Sequence, residues 1–340
     1  MRAQVLHEWG GEVKLGEVPT PRPGPGEVLV KVEACGVGLT VLNNMKGDRG
    51  ALTRLPRIPG HEVVGRVAAL GAGVEGLKTG DRVMAYYYLS CGNCDLCRAA
   101  HEPLCRNLKG NVGVVSDGGY AEYVLLPAFN LLPVPEGIDP VPATAIPDAI
   151  ATPFHVSRRA SIGPGDLVMV LGAGGGVGIH MVQMARVFGA EVVAVDLGPH
   201  KLEATRQAGA LAAVDFGGPD VVGAVRAVAP HGVSVAVDLV GSRDTLSFAL
   251  ELLDRRGRLV VLTTFPGLSA DLTPRLLVRQ ELTVFGSRYT SRWELAQAGR
   301  LVASGRIRPV VSGVVPLERV TELHAALRAR TLLGRGAIAF

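Results

Sequence analysis

Four of the five cysteines fall in one short segment. Cys91, Cys94, Cys97 and Cys105 follow the spacing C-x2-C-x2-C-x7-C. Four thiolates this close together suit a tetrahedral zinc ion, which prefers soft ligands and needs no redox activity. Two alternatives stay open: an iron–sulfur cluster, since related spacings occur in ferredoxins, and disulfides, which the lack of an export signal disfavours. The spacing predicts one structural zinc, with His101 inside the segment as a bystander.

A glycine-rich turn follows the apolar run that begins at Val168. Without side chains, the backbone of such a turn can approach a pyrophosphate, and the N–H groups at the start of the next helix favour the anion. The next strand, 191–196, ends in Asp196, a carboxylate placed to accept hydrogen bonds from ribose hydroxyls. The alternative is a turn that only packs a helix on a sheet. The predicted cofactor-binding residues of the turn are Gly172, Gly174, Gly175, Gly176, Val177 and Gly178.

The periodicity of the chain changes near residue 150. Before it, short alternating strands at 28–34, 60–69, 81–88 and 120–126 are separated by Gly- and Pro-rich loops, which indicates a β-barrel-like module. After it, strands alternate with helices, as expected for an α/β, doubly wound sheet of six parallel strands. These strands are predicted near 167–171, 191–196, 212–215, 233–238, 258–262 and 281–285.

The last fifty residues contain two helical stretches, 293–304 and 317–328, and a closing strand at 334–340. We expect them to return to the first module. With 340 residues, 48% of them hydrophobic, the chain can form two domains. A net charge of +4 with dispersed Lys and Arg predicts no nucleic-acid partner. Every long apolar run is interrupted, and the first residues lack a signal-peptide core, so we expect a cytoplasmic protein without a membrane span.

Several motifs together resemble the zinc-type medium-chain dehydrogenases/reductases, the alcohol dehydrogenase superfamily. They are Gly60-His-Glu-Val-Val-Gly65, Gly80-Asp-Arg-Val83, the four-cysteine segment, Asp117-Gly-Gly-Tyr-Ala-Glu-Tyr123, and the glycine turn with Asp196. The resemblance covers essentially the whole chain. It implies a GroES-like β-barrel catalytic domain at 1–150 with a zinc lobe at 91–105, a Rossmann domain at 151–286, and a return to the catalytic domain at 287–340. It also implies a homodimer or homotetramer.

The resemblance implies a catalytic zinc held by a cysteine, a histidine and a third cysteine or acid. His61 and Glu62 match the second ligand pair, and Asp148 falls at the third ligand. The first ligand is missing, because Gly38 stands where the family has cysteine. Cys35 lies three residues earlier in a strand whose side chains alternate faces, so we expect it to be a buried core residue.

Two more positions near Gly38 bear on the chemistry that the resemblance implies. Thr40 keeps the hydroxyl that faces the substrate oxygen, whereas the histidine that ends the family's proton relay is replaced by Asn43. An amide takes up no proton at neutral pH. The expected catalytic residues are Thr40, His61, Glu62 and Asp148, with a cleft metal that is either absent or weakly held by His61 and Asp148.

The expected cofactor is NAD(H), because Asp196 would repel the 2′-phosphate of NADP(H). By resemblance, Lys201 contacts the same ribose, Arg335 contacts the pyrophosphate, and Thr152 belongs to the cofactor site. The predicted activity is hydride transfer between nicotinamide and an alcohol or carbonyl compound. One alternative is a zinc-independent reductase of activated C=C bonds, which Gly38 and Asn43 favour. The other is a non-catalytic dinucleotide-binding protein.

Overall fold

A computed structural model describes residues 1–47, 54–263, 267–269 and 271–340. The chain divides into two compact units. Unit 1 comprises Met1–Ala151, Thr290–Gly305 and Pro309–Phe340, and unit 2 comprises Thr152–Tyr289 and Arg306–Arg308. Within the described ranges, no helix combines the length and the apolar character that crossing a membrane requires.

The first part of the chain is mainly strands and loops, as its alternating pattern predicted. Its strands are β1 (Arg2–Val5), β2 (Lys14–Glu17), β3 (Glu27–Val37), β4 (Glu62–Leu70), β5 (Arg82–Ala85), β6 (Tyr123–Pro127) and β7 (Leu131–Pro133). Its short helices are α1 (Leu39–Met45), α2 (Asp95–Arg98) and α3 (Pro140–Ala143). Single 3-10 turns lie at Glu102–Leu104 and Ala128–Asn130, and a π-helical turn lies at Ile146–Ile150.

Strands and helices alternate from residue 151 onward. The strands are β8 (Leu167–Leu171), β9 (Glu191–Asp196), β10 (Ala212–Asp215), β11 (Val233–Asp238), β12 (Leu253–Val261) and β13 (Thr283–Gly286). The helices are α4 (Ala151–Arg159), α5 (Gly176–Val187), α6 (Pro199–Gln207), α7 (Val221–Arg226), α8 (Arg243–Leu252) and α9 (Pro274–Gln280).

The C-terminal part returns to unit 1. It contains α10 (Arg292–Ala303), β14 (Val311–Pro316), a 3-10 turn (Leu317–Arg319), α11 (Val320–Arg328) and β15 (Arg335–Ala339). β15 pairs antiparallel with β3, a strand from the first part of the chain.

Unit 2 contains the predicted doubly wound sheet. Six parallel strands have the order β10-β9-β8-β11-β12-β13, so the order reverses between β8 and β11. The central strands are nearly all Val, Ala, Leu and Met because helices cover both faces of a parallel sheet. In such a sheet, ligands bind at the carboxyl ends of the strands where the order reverses, and the glycine turn after β8 lies at that point.

Unit 1 is built on a seven-stranded sheet. The order is β14-β15-β3-β4-β5-β7, with β6 also paired to β3. One face of this sheet packs on a hydrophobic core that includes Cys35, Tyr120 and Leu126. Cys35 is fully buried, and burial raises the pKa of its thiol well above the usual range. This confirms the prediction that it is a core cysteine.

Candidate functional site

The glycine turn is shaped by close backbone packing between β8 and α5. Gly172 has φ +79°, a conformation that favours glycine. A Cβ on Gly178 would lie 2.8 Å from the carbonyl carbon of Ala173, and one on Gly174 would lie 2.9 Å from Cγ of Lys201. Gly175 is the N-cap of α5, and as a glycine it has no side chain to cap the helix. The first turn of α5 therefore presents its N–H groups to a ligand, as a pyrophosphate site requires.

Asp196 is held at the end of β9, next to this turn. One carboxylate oxygen, Oδ2, accepts a hydrogen bond from Gly174 N at 2.7 Å, and the other, Oδ1, accepts one from Leu197 N at 2.7 Å. The ammonium of Lys201 lies 3.9 Å from Oδ1. The structure thus brings together the turn, Asp196 and Lys201. Thr152 is buried at the second position of α4.

The four cysteines of the lobe form one compact cluster. Their sulfurs all lie within 4.8 Å of one another, and three Sγ–Sγ distances are 3.4 Å (Cys91–Cys105), 3.9 Å (Cys91–Cys97) and 4.0 Å (Cys94–Cys105). Zinc bound by four sulfurs at 2.3 Å places them about 3.8 Å apart. The cysteines are not disulfide-bonded. The donor set fits one zinc ion.

The thiols of this lobe differ in their environments. Hydrogen bonds, chiefly from the backbone at Asn93, lower the pKa of Cys91 to about 6, whereas burial raises the pKa of Cys97 to about 12. Cys105 Sγ accepts a hydrogen bond from the N–H of Cys91 at 3.3 Å. Because zinc binds thiolates, loading the site releases protons from the thiols.

A second cluster lies in unit 1 and contains the predicted catalytic residues His61, Glu62 and Asp148. Their ligand atoms all lie within 4.8 Å of one another, and all three residues are buried. Glu62 begins β4, His61 precedes it, and Asp148 lies on the π-helical turn. Such turns occur often at functional sites. His61 Nε2 is 3.4 Å from Asp148 Oδ2, and its ring is centred 4.6 Å from that of Tyr87.

Arg335 joins this cluster from β15. Its Nη2 donates to Asp148 Oδ2 at 2.7 Å and is 2.8 Å from Glu62 Oε1. Burial raises the pKa of Glu62 to about 7, an effect that the Arg335 charge opposes. Burial also disfavours the charged form of Arg335, but the two carboxylates prevail and hold its pKa above the usual value. The pyrophosphate contact that the resemblance implied for Arg335 stays a prediction.

The residues of this cluster do not fit a catalytic zinc in the conformation described. Zinc would need oxygens of Asp148 and Glu62 at about 2.0–2.2 Å. Those carboxylates already bind the Arg335 guanidinium, and Gly38 offers no ligand. Thr40 is half-buried at the second position of α1, just after Gly38, and Asn43 is half-buried one turn further along that helix.

The contacts of Arg335 and Tyr87 with this cluster were not predicted from the sequence. The sequence feature that could have predicted the position of Arg335 was Gly38, because a glycine leaves space that another side chain can occupy. For Tyr87 the sequence carries no comparable signal, since the residue lies beyond β5 in a loop whose course depends on the tertiary fold.

Comparisons with known proteins agree with this architecture. Residues 24–136 match the family model of the alcohol dehydrogenase GroES-like domain, and residues 176–304 match that of zinc-binding dehydrogenases. An alcohol dehydrogenase of Geobacillus stearothermophilus is 35% identical over 340 residues, covering 98% of both chains. An NAD-dependent alcohol dehydrogenase of Sulfurisphaera tokodaii is 32% identical, covering 98% of this chain and 99% of that protein.

Solved structures also match along the whole chain. The cobalt- and zinc-bound thermostable alcohol dehydrogenase of Pyrobaculum aerophilum superposes with a TM-score of 0.91 at 34% identity, covering 100% of this chain and 99% of that one. These similarities confirm the predicted GroES-like and Rossmann architecture, and they favour an alcohol dehydrogenase-type oxidoreductase over the C=C reductase. The chain belongs to the zinc-type medium-chain dehydrogenases/reductases of the alcohol dehydrogenase superfamily.

Proposed function

We propose that this protein transfers hydride between NAD(H) and an alcohol or carbonyl compound. The observation that carries the proposal is the placement of Asp196 beside the glycine turn, at the carboxyl ends of the parallel strands. A carboxylate there accepts hydrogen bonds from both ribose hydroxyls and repels a 2′-phosphate. The NAD-dependent relative from Sulfurisphaera tokodaii supports the same cofactor.

The two units take different roles in this proposal. Unit 2, which corresponds to the predicted domain at 151–286, binds the dinucleotide through the turn, Asp196, Lys201 and Thr152. Unit 1 supplies the chemistry and is stabilised by the zinc of the cysteine lobe. Four reduced cysteines held for zinc suit the reducing environment of the cytoplasm. We therefore place the protein there.

The proposed mechanism uses the polar groups of unit 1 to orient the reacting oxygen. The hydroxyl of Thr40 donates a hydrogen bond to that oxygen or accepts one from it. His61 and Asp148 form the hydrogen-bonded pair that holds or releases the proton of the reaction. Arg335, which is also paired with Glu62, fixes Asp148. Asn43 cannot pass a proton to solvent, so alcohol oxidation should be favoured only at alkaline pH.

The cofactor assignment is tested by competition between NAD⁺ and NADP⁺. We expect kcat/KM to favour NAD⁺, and Asp196→Asn to reduce that preference on the order of 10- to 100-fold, because it removes the repulsive charge but keeps an acceptor for Gly174 N. Asp215→Asn is the matched control, since Asp215 is an exposed acid at the end of the neighbouring strand β10. A wild-type preference for NADP⁺ would show that Asp196 has been assigned wrongly.

The substrate class is tested with a panel of primary and secondary alcohols, their carbonyl products, and activated alkenes. We expect turnover of alcohols and carbonyls and its loss in Thr40→Ala and Asp148→Asn. Turnover of the alkenes alone would favour the C=C reductase. Unchanged turnover of all substrates after replacing Thr40, His61 and Asp148 would remove the catalytic role proposed for them.

We further propose that the protein assembles as a homodimer or homotetramer through β13. This strand is at one end of the six-stranded sheet of unit 2. Within the described residues, it pairs with β12 on one side. An edge strand of this kind pairs readily with a second copy. Light scattering at micromolar concentration should give a dimer or tetramer, and a monomer would contradict the proposal.

A further inference from the structure

Strand pairing places Gly36, Gly38, Glu62 and Arg335 on one face of the unit 1 sheet. Gly36 on β3 lies opposite Glu62 on β4 and opposite Ala337 on β15. Residues directly opposite each other share a face, and residues two apart on a strand share a face. Arg335 is two residues from Ala337 and Gly38 is two residues from Gly36, so both share the face of Gly36 and Glu62. The side chain of Arg335 therefore points into the space above Gly38.

The absent side chain at position 38 gives the guanidinium its room. A Cβ built on Gly38 would lie 2.7 Å from Cζ of Arg335 and closer still to Nη1. Gly38 has φ −138° and ψ 173°, an extended conformation that any residue adopts. The need for glycine at this position is therefore a need for space, and the occupant of that space is Arg335.

The guanidinium is also fixed electrostatically. Arg335 is 5% exposed and lies within 2.8 Å of carboxylate oxygens from both Glu62 and Asp148. Buried charges of this kind persist only when they are paired. A divalent cation that used the same two carboxylates would have to displace the guanidinium and would be repelled by it at close range.

We propose that Arg335 is a built-in cation that takes the place of the catalytic metal, and that Gly38 is the substitution that makes room for it. Arg335 holds Glu62 and Asp148 in position and excludes zinc from this cluster. It acts as a positioning residue, through Asp148 and its partner His61. The proposal concerns metal content and therefore holds or fails independently of the substrate and cofactor proposed above.

The experiment measures metal content by elemental analysis and by the visible spectrum of the cobalt-substituted protein. Wild-type protein should hold one zinc per chain, at the cysteine lobe. Gly38→Cys should still hold one, because the guanidinium, although pushed aside by the new side chain, stays buried beside the two carboxylates and repels a divalent cation. The double variant Gly38→Cys/Arg335→Gln should hold two, with affinity at the second site raised on the order of 100-fold over wild type. Gly16→Cys is the control, because a Cβ on Gly16 meets nothing within 4 Å.

Three outcomes would overturn the proposal. Wild-type protein with two tightly bound zinc ions would show that Arg335 does not exclude the metal. A second zinc in Gly38→Cys alone would show that the guanidinium yields without resistance. A folded double variant with one zinc would show that neither space nor charge kept the metal out. If the double variant does not fold, calorimetric titration of wild-type protein with Zn²⁺ decides, since a second tight site contradicts the proposal and none beyond the lobe supports it.

Discussion

Replacing Gly38 by alanine should destabilise unit 1, although the backbone at this position tolerates any residue. At a position whose backbone conformation alanine can adopt, Gly→Ala normally stabilises by about 0.4–1 kcal/mol, because the unfolded chain loses freedom. At Gly38 the added Cβ would lie 2.7 Å from Cζ of Arg335. The guanidinium must move, and its ion pairs with Glu62 and Asp148 must lengthen or break.

The size of the effect follows from those two contributions. Overpacking a buried site costs about 1–3 kcal/mol, and separating a buried ion pair costs about 3–5 kcal/mol when the charges stay buried. The guanidinium of Arg335 can relax partly, so the expected free-energy cost lies between these two values. After the gain from the unfolded state, we expect a net loss of about 2–4 kcal/mol. For a unit of this size, that lowers the melting temperature by about 5–15 °C.

Tryptophan fluorescence during urea unfolding measures this loss directly. Both tryptophans of the chain, Trp9 and Trp293, belong to unit 1, so the signal reports that unit. Gly16→Ala is the matched control, because Gly16 also has an extended backbone in unit 1, within β2, with no atom within 4 Å of a new Cβ. The control should be as stable as wild type or slightly more stable.

A double-mutant comparison distinguishes the effect of Arg335 from other causes of the stability loss in Gly38→Ala. In an Arg335→Ala background the guanidinium is gone, so Gly38→Ala should cost little or nothing further. If Gly38→Ala is as stable as Gly16→Ala, the guanidinium is not fixed above Gly38. If Gly38→Ala costs the same with and without Arg335, the steric reasoning is wrong.

Three further predictions concern other parts of the chain. Gly178→Ala should abolish NADH binding measured by fluorescence titration, because its Cβ would press on the backbone of the turn, whereas Gly163→Ala, with open space around it, should bind normally. Cys97→Ser should lose the lobe zinc and lower the melting temperature, and full retention of both would contradict a structural role. Burial lowers the pKa of His324 in the folded protein. As the pH falls below the ordinary histidine pKa, the unfolded chain therefore binds a proton at this residue more readily than the folded protein does, and the free energy of unfolding decreases. His324→Gln should flatten this pH dependence in urea unfolding, and the exposed His7→Gln should leave it unchanged.

The sequence by itself determined the elements with strong local signals. Apolar runs, most of them ending at Gly or Asp, predicted all six strands of unit 2, although β12 begins at Leu253, earlier than the prediction near 258. Its early residues are charged, and pairing with β11 holds them in the sheet. The spacing of four cysteines within one loop fixed the zinc lobe, because closely spaced residues meet with little help from the rest of the fold.

Only the tertiary structure decided which side chain lies in the space beside Gly38. Gly38, Glu62, Asp148 and Arg335 are distant in sequence and meet because β15 returns to pair with β3. The sequence predicted a lost ligand at Gly38 and a cofactor contact for Arg335, and it did not predict the ion pairs of Arg335 with Glu62 and Asp148. Whether a long side chain points to a neighbouring domain or into its own sheet depends on strand register and on the space its neighbours leave, and neither is encoded locally. The carboxylates of Glu62 and Asp148 supplied the charge that fixes the guanidinium there.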